Sequence, residues 1–462
     1  MSHRALAYTA ESLLEKLRLL PAANAYIVSF SGGADSTALL HAMTTVRSQL
    51  ENPLSAVHVN HGLHDDADLW QSRCETFCRR LGVDLTCLPI EPGNKSGKGL
   101  EAEARHLRYK AIAELLNPGD SLLTAHHAGD QAETLLLNLM RGSGVDGLSG
   151  MPESRPLGKG FLQRPMLDFQ SHALKNYLEK NKIDWTEDPS NQYLNHDRNF
   201  VRHEILPLLE KRWPEVGKRL LLTRKAMSGA RHLLEDLADK KLRKAQIHPL
   251  VIKLSPDLKD DIELMKLVLR RWIKQTGRHS IPAYRLETFC QQLLHAGTDN
   301  NVSISWDGCV LRFYRQHLWL QTGAEVLPCA LTNWPTGTTR FELGRDTGYL
   351  QLTTKDANVG LSRTMLEKAI TTGGRGVLEE RVIQQGGHHE NLKKLLQAAG
   401  IPPWLRDSIP LCTMDGELLA VGDWCLNDQF EAWLQENDSR LSWHPQHPML
   451  RLIHAQMHLK KH

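Results

Sequence analysis

Tyr26-Ile27-Val28-Ser29-Phe30-Ser31-Gly32-Gly33-Ala34-Asp35-Ser36-Thr37-Ala38-Leu39-Leu40 is an apolar run, a Gly-Gly turn and the start of a second apolar run. The first run predicts a buried strand and the second a helix. Lacking a Cβ, Gly32 and Gly33 let the backbone bend tightly and bring its N–H groups close to a ligand. Ser31 and Ser36 add hydroxyls, and the helix behind Ala34 turns the positive end of its dipole on the same point. Such a turn is a phosphate cradle. It lacks the lysine of a Walker A loop, so a magnesium ion has to supply the missing charge, with Asp35 as the carboxylate to hold it. A lone Gly-Gly before a helix is also an ordinary strand–turn–helix. The whole of Ser-Gly-Gly-x-Asp-Ser after an apolar strand is far less common.

Outward from this turn, the same pattern repeats. Strands are predicted over 54–62, 83–90 and 121–125, with helices through Trp70, Cys74, Phe77 and Leu81, then over 100–116 and 130–140. Asp65, Asp66 and Asp68 mark an acidic helix start, and Gly93 to Gly99 is a Gly/Lys-rich loop. Strands alternating with helices of this length predict an α/β domain, a parallel sheet covered on both faces. Ligands of such sheets sit beyond the carboxyl ends of the strands. The Gly-Gly turn, Asn60-His61 and His126-His127 all follow strands, so they should converge there.

At 462 residues the chain has length for about three domains. From about residue 170 it becomes helical and basic, with Asp188-Pro189-Ser190-Asn191 as a turn. Helices are predicted over 214–246, 260–276 and 282–295, closed by short strands over 301–306, 310–314 and 317–320. A Pro/Thr/Gly-rich linker over 328–339 leads into a strand-rich part with a helix near 392–399. The boundaries expected are a catalytic domain over 1–215, a mainly helical middle domain over 216–328 and a small α+β domain over 340–435.

Composition narrows the setting. No run approaches the roughly 18 consecutive apolar residues of a membrane span, and the N-terminal Leu13, Leu14, Leu17 and Leu20 mark an amphipathic surface helix instead of a signal segment. A cytoplasmic protein is the expectation, with no membrane partner. The eight cysteines contain no C-x-x-C pair, and all are read as reduced thiols. A net charge of +3 permits a nucleic-acid partner without demanding one.

Two further stretches carry chemistry. In Ala125-His126-His127-Ala128-Gly129-Asp130-Gln131-Ala132-Glu133, the carboxylates of Asp130 and Glu133 are three apart and share a helix face. They fit an ammonium-bearing substrate, and equally a dipole partnership with a helix start. In Leu100-Glu101-Ala102-Glu103-Ala104-Arg105-His106-Leu107-Arg108-Tyr109, Arg105 and Arg108 share a face that could clamp a phosphate, or belong to a solvated face with Glu101–Arg105 pairing.

The turn resembles that of the PP-loop ATP pyrophosphatases, which split ATP into AMP and pyrophosphate to activate a carbonyl. The chain as a whole resembles the tRNA(Ile)-lysidine synthase family. Besides Ser31 to Ser36, the likeness rests on Val57-His58-Val59-Asn60-His61-Gly62-Leu63, Glu101 to Arg105 with Arg108-Tyr109, and His126-His127 with Asp130 and Glu133. It continues through Arg141-Gly142-Ser143-Gly144, Arg198-Asn199 with Arg202, Leu269-Arg270-Arg271-Trp272 and Arg312-Phe313-Tyr314-Arg315. Leu392-Lys393-Lys394-Leu395 and Gly400-Ile401-Pro402-Pro403-Trp404-Leu405-Arg406-Asp407 look like the family's C-terminal RNA-binding domain.

The resemblance implies ligation of free L-lysine to C2 of the wobble cytidine of an isoleucine tRNA with a CAU anticodon. ATP would adenylate the base first, lysine's ε-amine would displace AMP, and the codon read would change from AUG to AUA. It implies ATP held by Ser31, Gly32, Gly33, Ala34, Asp35 and Ser36, with Mg2+ on Asp35. Asp35, Asp130 and Glu133 would be the catalytic residues. Asp130 and Glu133 would bind lysine's ammonium groups, Arg105 and Arg108 lysine or phosphate, and Arg198, Arg202, Lys393, Lys394 and Arg406 the tRNA. Oligomeric state stays open, a homodimer being one option.

Three positions depart from the family pattern: Gly129, where relatives often carry a second aspartate; His64, where arginine is frequent; and His388-His389, where relatives tend to be basic. Among rival PP-loop enzymes, a tRNA thiolase would bring cysteine pairs and a GMP or asparagine synthetase a glutaminase domain. A tRNA-binding protein with a dead ATPase is disfavoured by the intact Ser31, Asp35, Ser36, Asp130 and Glu133.

Overall fold

The computed structural model describes residues 7–60, 62, 66–90, 100–187, 193–278, 280–297, 302–323, 325–334, 338–354, 370–375 and 382–459. The loop over 93–99, the turn over 188–191 and the residues Asp65, His61, Leu63 and His64 lie outside these. The chain divides into two compact units, residues 1–234 and 235–462.

The first unit is built on strand–helix alternation. Helix α1 (Ala10–Arg18) buries Leu13, Leu14 and Leu17 as its single apolar stripe. It starts where Thr9 and Ser12 cap each other's backbone N–H groups. Then come β1 (Tyr26–Ser29), α2 (Ala34–Thr45), β2 (Leu54–Asn60), α3 (Ala67–Leu81), β3 (Asp84–Pro89), α4 (Leu100–Leu115), β4 (Ser121–Leu123) and α5 (Ala128–Met140). Short helix α6 (Val145–Leu148), strands β5 (Ser154–Leu157) and β6 (Gly160–Gln163), and α7 (Ser171–Lys180) follow.

The sheet order is β3-β2-β1-β4-β6-β5. Strands β3, β2, β1, β4 and β6 are mutually parallel, as the alternation predicts. Strand β1 runs inside the sheet, with Val28 opposite Ala56 on one side and Leu123 on the other. The antiparallel edge strand β5 was not anticipated; its Pro156 can donate no ladder bond, which suits an edge. Val28, Leu39, Leu40 and Met43 are completely buried in one cluster, and burying a side chain of that size contributes about 1.5–3 kcal/mol. The turn between β1 and α2 is therefore anchored at both ends by core residues.

After α7, the short helix α8 (Asp197–Phe200) runs directly into a π-helical turn, Val201–Ile205, and α9 (Leu206–Arg212). Such π turns recur at functional sites. The helix expected over 214–246 is Val216–Ala245.

In the second unit a five-stranded antiparallel sheet runs in the order Gln246–His248, Val251–Lys253, His317–Thr322, Cys309–Tyr314 and Ser303–Trp306. Helices Ile262–Gln275 and Ala283–His295 share its core, with Trp272 fully buried and its indole N–H on the Pro249 carbonyl at 2.8 Å. The first two of these strands are short additions to the predicted pattern. The rest is α+β: strand Gly348–Thr354 lies between Arg340–Gly344 and Ser439–His444, so the sheet continues past residue 435, where the domain was expected to end. Helices Leu392–Ala398, Asp428–Glu436 and Pro448–Leu459 pack on one cluster with Leu411, Leu418 and Trp443.

All eight cysteines are free thiols. Among the described residues no helix is long and apolar enough to cross a membrane.

Candidate active site

The Gly-Gly turn has its conformation set at Gly32, not at both glycines. Gly32 has φ +81°, and a Cβ there would stand 3.0 Å from Cys74 Sγ. Its carbonyl accepts the Thr186 N–H at 2.9 Å. Gly33 has an ordinary φ of −72° as the residue before α2. A Cβ at Gly33 would meet only Ser31 Oγ, at 3.5 Å, so what glycine provides there is close approach.

The serines brace the loop from inside. Ser36 Oγ accepts the Ser31 N–H at 3.2 Å and donates to the Gly33 carbonyl at 3.0 Å, with Ser31 Oγ 3.1 Å away. No side chain caps α2, so its first N–H groups face the cleft as an anion site. That cleft, about 880 Å3, is lined by Ser31, Gly33, Asp35, His127, Glu133 and Arg202 among others.

Opposite the turn, α5 begins with His127 in the position usually taken by serine or threonine. His127 Nδ1 accepts the N–H groups of Gly129 (3.0 Å) and Asp130 (3.4 Å), while Asp130 Oδ2 accepts the His127 N–H at 2.9 Å. This is a capping box made by histidine and aspartate. With a lone pair on Nδ1, the ring hydrogen of the neutral tautomer sits on Nε2, which lies 3.5 Å from Asp35 Oδ2 and 3.8 Å from Asp130 Oδ2. Burial opposes charge on this ring, but hydrogen bonding to Asp35 and the charges of Asp130, Asp35 and Glu133 outweigh it and raise its pKa. Protonation would have to break the Nδ1 acceptor bonds. Gly129, one of the departures from the family pattern, belongs to this geometry: a Cβ there would stand 2.8 Å from His127 Cε1.

Asp130 and Glu133 do face one point, one helical turn apart, and arginines hold them there. Glu133 is 2% exposed. Arg198 reaches Glu133 Oε2 through Nε at 2.7 Å and Asp130 Oδ1 through Nη2 at 3.0 Å. Arg202 reaches Glu133 Oε1 at 2.6 Å and Oε2 at 3.0 Å, and Asp130 Oδ1 at 3.1 Å. Residues four apart share a helix face, so α8 and the π turn aim both guanidiniums at the pair. Asp130 divides its oxygens: Oδ2 caps the helix and Oδ1 belongs to the charge cluster. Burial would raise its pKa, but His127, Arg198 and the His127 N–H hold the carboxyl below its usual range.

Arg198 and Arg202 thus stand inside the carboxylate cluster, with about a third of each side chain exposed. His126 Nδ1 lies 2.9 Å from Thr124 Oγ1. Burial, reinforced by Arg164, Arg198 and Arg105 against Asp130, pushes its pKa down to about 3. Arg105 and Arg108 do come together: their guanidiniums lie 5.2 and 5.5 Å from the centre of the Tyr109 ring, joined by Arg155 at 5.3 Å.

In the second unit Lys393 and Lys394 are exposed on helix Leu392–Ala398. Arg406 does not join them. It is 6% exposed and donates through Nε to the Ile401 carbonyl at 3.0 Å and through Nη2 to Tyr314 Oη at 3.2 Å. The Gly386-Gly387 turn donates both N–H groups to Asp428, leaving His388 and His389 exposed on its hairpin.

Several participants were not singled out in the sequence. Arg164, 4% exposed, follows β6 at its carboxyl end, a position the strand-end rule could have flagged. Lys175, Trp185 and Thr186 also line the cleft, and no local pattern marks them.

Comparison with known proteins matches three stretches of the chain. A PP-loop domain model matches residues 4–209, a TilS substrate binding domain 261–319 and a TilS substrate C-terminal domain 375–443. A tRNA(Ile)-lysidine synthase of Alkalilimnicola ehrlichii is 37% identical over 423 residues, covering 89% of this chain and 92% of that protein. One from Coxiella burnetii is 36% identical over 428 residues, covering 92% and 94%. One from Methylococcus capsulatus is 37% identical over 403 residues, covering 86% and 91%.

Proposed function

The chain belongs to the tRNA(Ile)-lysidine synthase family, and from that premise we propose that it ligates the ε-amine of free lysine to C2 of the wobble cytidine in an isoleucine tRNA with a CAU anticodon. ATP is consumed to AMP and pyrophosphate, the intermediate is the base adenylated at its C2 oxygen, and the codon read changes from AUG to AUA. One observation carries this reading: the phosphate turn (Ser31, Gly33, Asp35) and the buried carboxylate Glu133 line the same cleft. A nucleotide at the turn and an ammonium group at the carboxylate would then share one cleft.

The residues of the turn do the binding. The N–H groups at the start of α2 hold phosphate oxygens, and Ser36 keeps the loop rigid, so the donors need no reorganisation when pyrophosphate leaves. Asp35 lines the cleft with Ser31 and Ser36, and its carboxylate with the oxygens of a bound phosphate would make a hard-oxygen donor set that fits Mg2+. When bound, that ion neutralises charge on the departing pyrophosphate. His127 orients Asp35 through its Nε2 hydrogen. The cytidine oxygen attacks the α-phosphorus and pyrophosphate leaves; the lysine amine then attacks C2, and the C2–O bond breaks to release AMP.

Lysine's positive charge is met by Asp130 and Glu133. Arg198 and Arg202 fill those oxygens in the structure, so an incoming ammonium has to displace one guanidinium fork. Once displaced, that fork is available to an RNA phosphate, which reconciles the tRNA role expected of these arginines with their position. Lys393 and Lys394 offer phosphate contacts in the second unit. The domain scheme proposed is a catalytic domain over 1–215, a middle domain over 216–328 and a C-terminal domain from 340, and eight free thiols suit a reducing cytoplasm. ATP–pyrophosphate exchange tests the order of steps: with cognate tRNA and no lysine, label should enter ATP, and exchange that requires lysine would refute an adenylated base.

A further inference from the structure

Among the described residues, one group of three metal-ligating side chains converges, and it belongs to the second unit. Asp423 stands in the turn between strands Glu417–Val421 and Cys425–Leu426. His454 and His458 stand four apart on helix Pro448–Leu459, hence on one face. His454 Nε2 is 2.9 Å from Asp423 Oδ1, His458 Nε2 is 3.0 Å from the same oxygen, and the two nitrogens are 3.2 Å apart.

Hydrogen bonding alone accounts poorly for this triangle. Two N–H groups aimed at one oxygen from nitrogens this close press their hydrogens together, and two lone pairs repel both the carboxylate and each other. With one of each the nitrogens can bond, but the unprotonated one sets its lone pair against Asp423 Oδ1. A cation at the centre turns all three lone pairs into bonds. In a tetrahedral zinc site with bonds of about 2.0–2.1 Å, donors lie about 3.3–3.4 Å apart, so the triangle needs to open by only a few tenths of an ångström. The second carboxylate oxygen is fixed from behind by the Trp443 N–H at 3.0 Å, the outer-shell support that metal ligands ordinarily have. Of the three side chains, His454 also lines a hollow of about 450 Å3 beside Trp443 and Arg451, and His454 and His458 keep about a quarter and a third of their side chains exposed.

We propose that Asp423, His454 and His458 bind one divalent cation of the zinc class, clasping helix Pro448–Leu459 to the turn that carries Asp423. Two imidazoles with one carboxylate select Zn2+, Co2+ or Ni2+ over the oxygen-loving Mg2+ and Ca2+. This site is therefore chemically distinct from the ATP-linked magnesium expected at Asp35. No cysteine belongs to a converging group of ligands among the described residues.

The test uses the full chain, stripped with a chelator and titrated with Zn2+ against a chromophoric competitor. One zinc per chain is expected, undisturbed by excess Mg2+, with a rise in Tm. His458→Gln and Asp423→Asn should each weaken binding at least about tenfold and abolish the Tm shift, whereas His388→Gln with His389→Gln should change neither. Co2+ should give the intense visible bands of a tetrahedral site. Equal zinc uptake by wild type and either variant, or loss of uptake in the His388/His389 variant, would overturn the proposal. Should a variant fail to fold, the wild-type cobalt spectrum decides alone, and its absence ends the proposal.

Discussion

Arg202 grips Glu133 with both arms of its guanidinium fork, Nε 2.6 Å from Oε1 and Nη2 3.0 Å from Oε2. Glu133 is buried beneath it while Arg202 stays a third exposed. A carboxylate so placed is an anionic socket already occupied by the protein's own cation. Its worth lies in what can replace that cation.

Glu133→Gln leaves two guanidiniums facing an amide. Loss of one partner of a buried pair costs about 3–5 kcal/mol, and solvent around Arg202 places this case near 3. A urea midpoint series should show that loss together with loss of lysine transfer. Glu133→Leu with Arg202→Met should recover only part of the stability, because Arg198 Nε still loses its Glu133 partner, and none of the activity. Full stability of Glu133→Gln would mean that the ion pairs carry no weight.

Asp35→Asn should lower turnover by at least about 100-fold, the scale of removing one element of transition-state charge stabilisation, while tRNA affinity stays unchanged. Asp35 is partly exposed and touches His127 only at 3.5 Å, so the fold does not depend on it. If turnover and tRNA affinity fall together, Asp35 is a structural residue.

His126 makes the first unit sensitive to mild acid. Its pKa is pushed down to about 3 in the folded state, against about 6.5 in the unfolded chain. Between these values the unfolded chain binds the extra proton, so stability falls as pH drops below 6.5 and levels off near 3. From pH 7 to pH 5 this amounts to at most about 2 kcal/mol. His126→Gln should flatten that part of the stability–pH curve; an unchanged curve would place the acid sensitivity elsewhere.

Lys393 and Lys394 are exposed whereas Arg406 is buried against Tyr314, and salt dependence separates the two situations. If both lysines contact phosphates, Lys393→Ala with Lys394→Ala should reduce the slope of log affinity for tRNA against log salt by about 1.4–1.8. Arg406→Ala should leave the slope alone and lower Tm. The reverse pattern would put Arg406 on the RNA.

Much of the first unit was legible because its signals are local. Period and turn chemistry mark β1, the Gly-Gly turn and α2, and alternation of strands with helices implies the parallel sheet. Spacing also put Asp130 and Glu133 on one face. What occupies that face was not legible: Arg198 and Arg202 come from some 65 residues further along, and nothing in their own stretch shows where α8 will dock. Arg406 shows a second thing spacing does not carry, its burial. A basic residue in a basic-looking motif reads as a surface contact, and only the packed structure shows Tyr314 and the Ile401 carbonyl taking its donors. The role of Gly129 depended on a neighbour two residues back folding its ring over the turn, a detail finer than any spacing rule.

The central claim is that this cleft joins lysine to a cytidine. Incubation with lysine, ATP, Mg2+ and unmodified isoleucine tRNA, followed by digestion to nucleosides and mass spectrometry, measures it directly. One cytidine per tRNA should gain the mass of lysine less water, at the wobble position and only with ATP present. A tRNA whose cytidines all keep their mass after consumption of ATP would contradict the account.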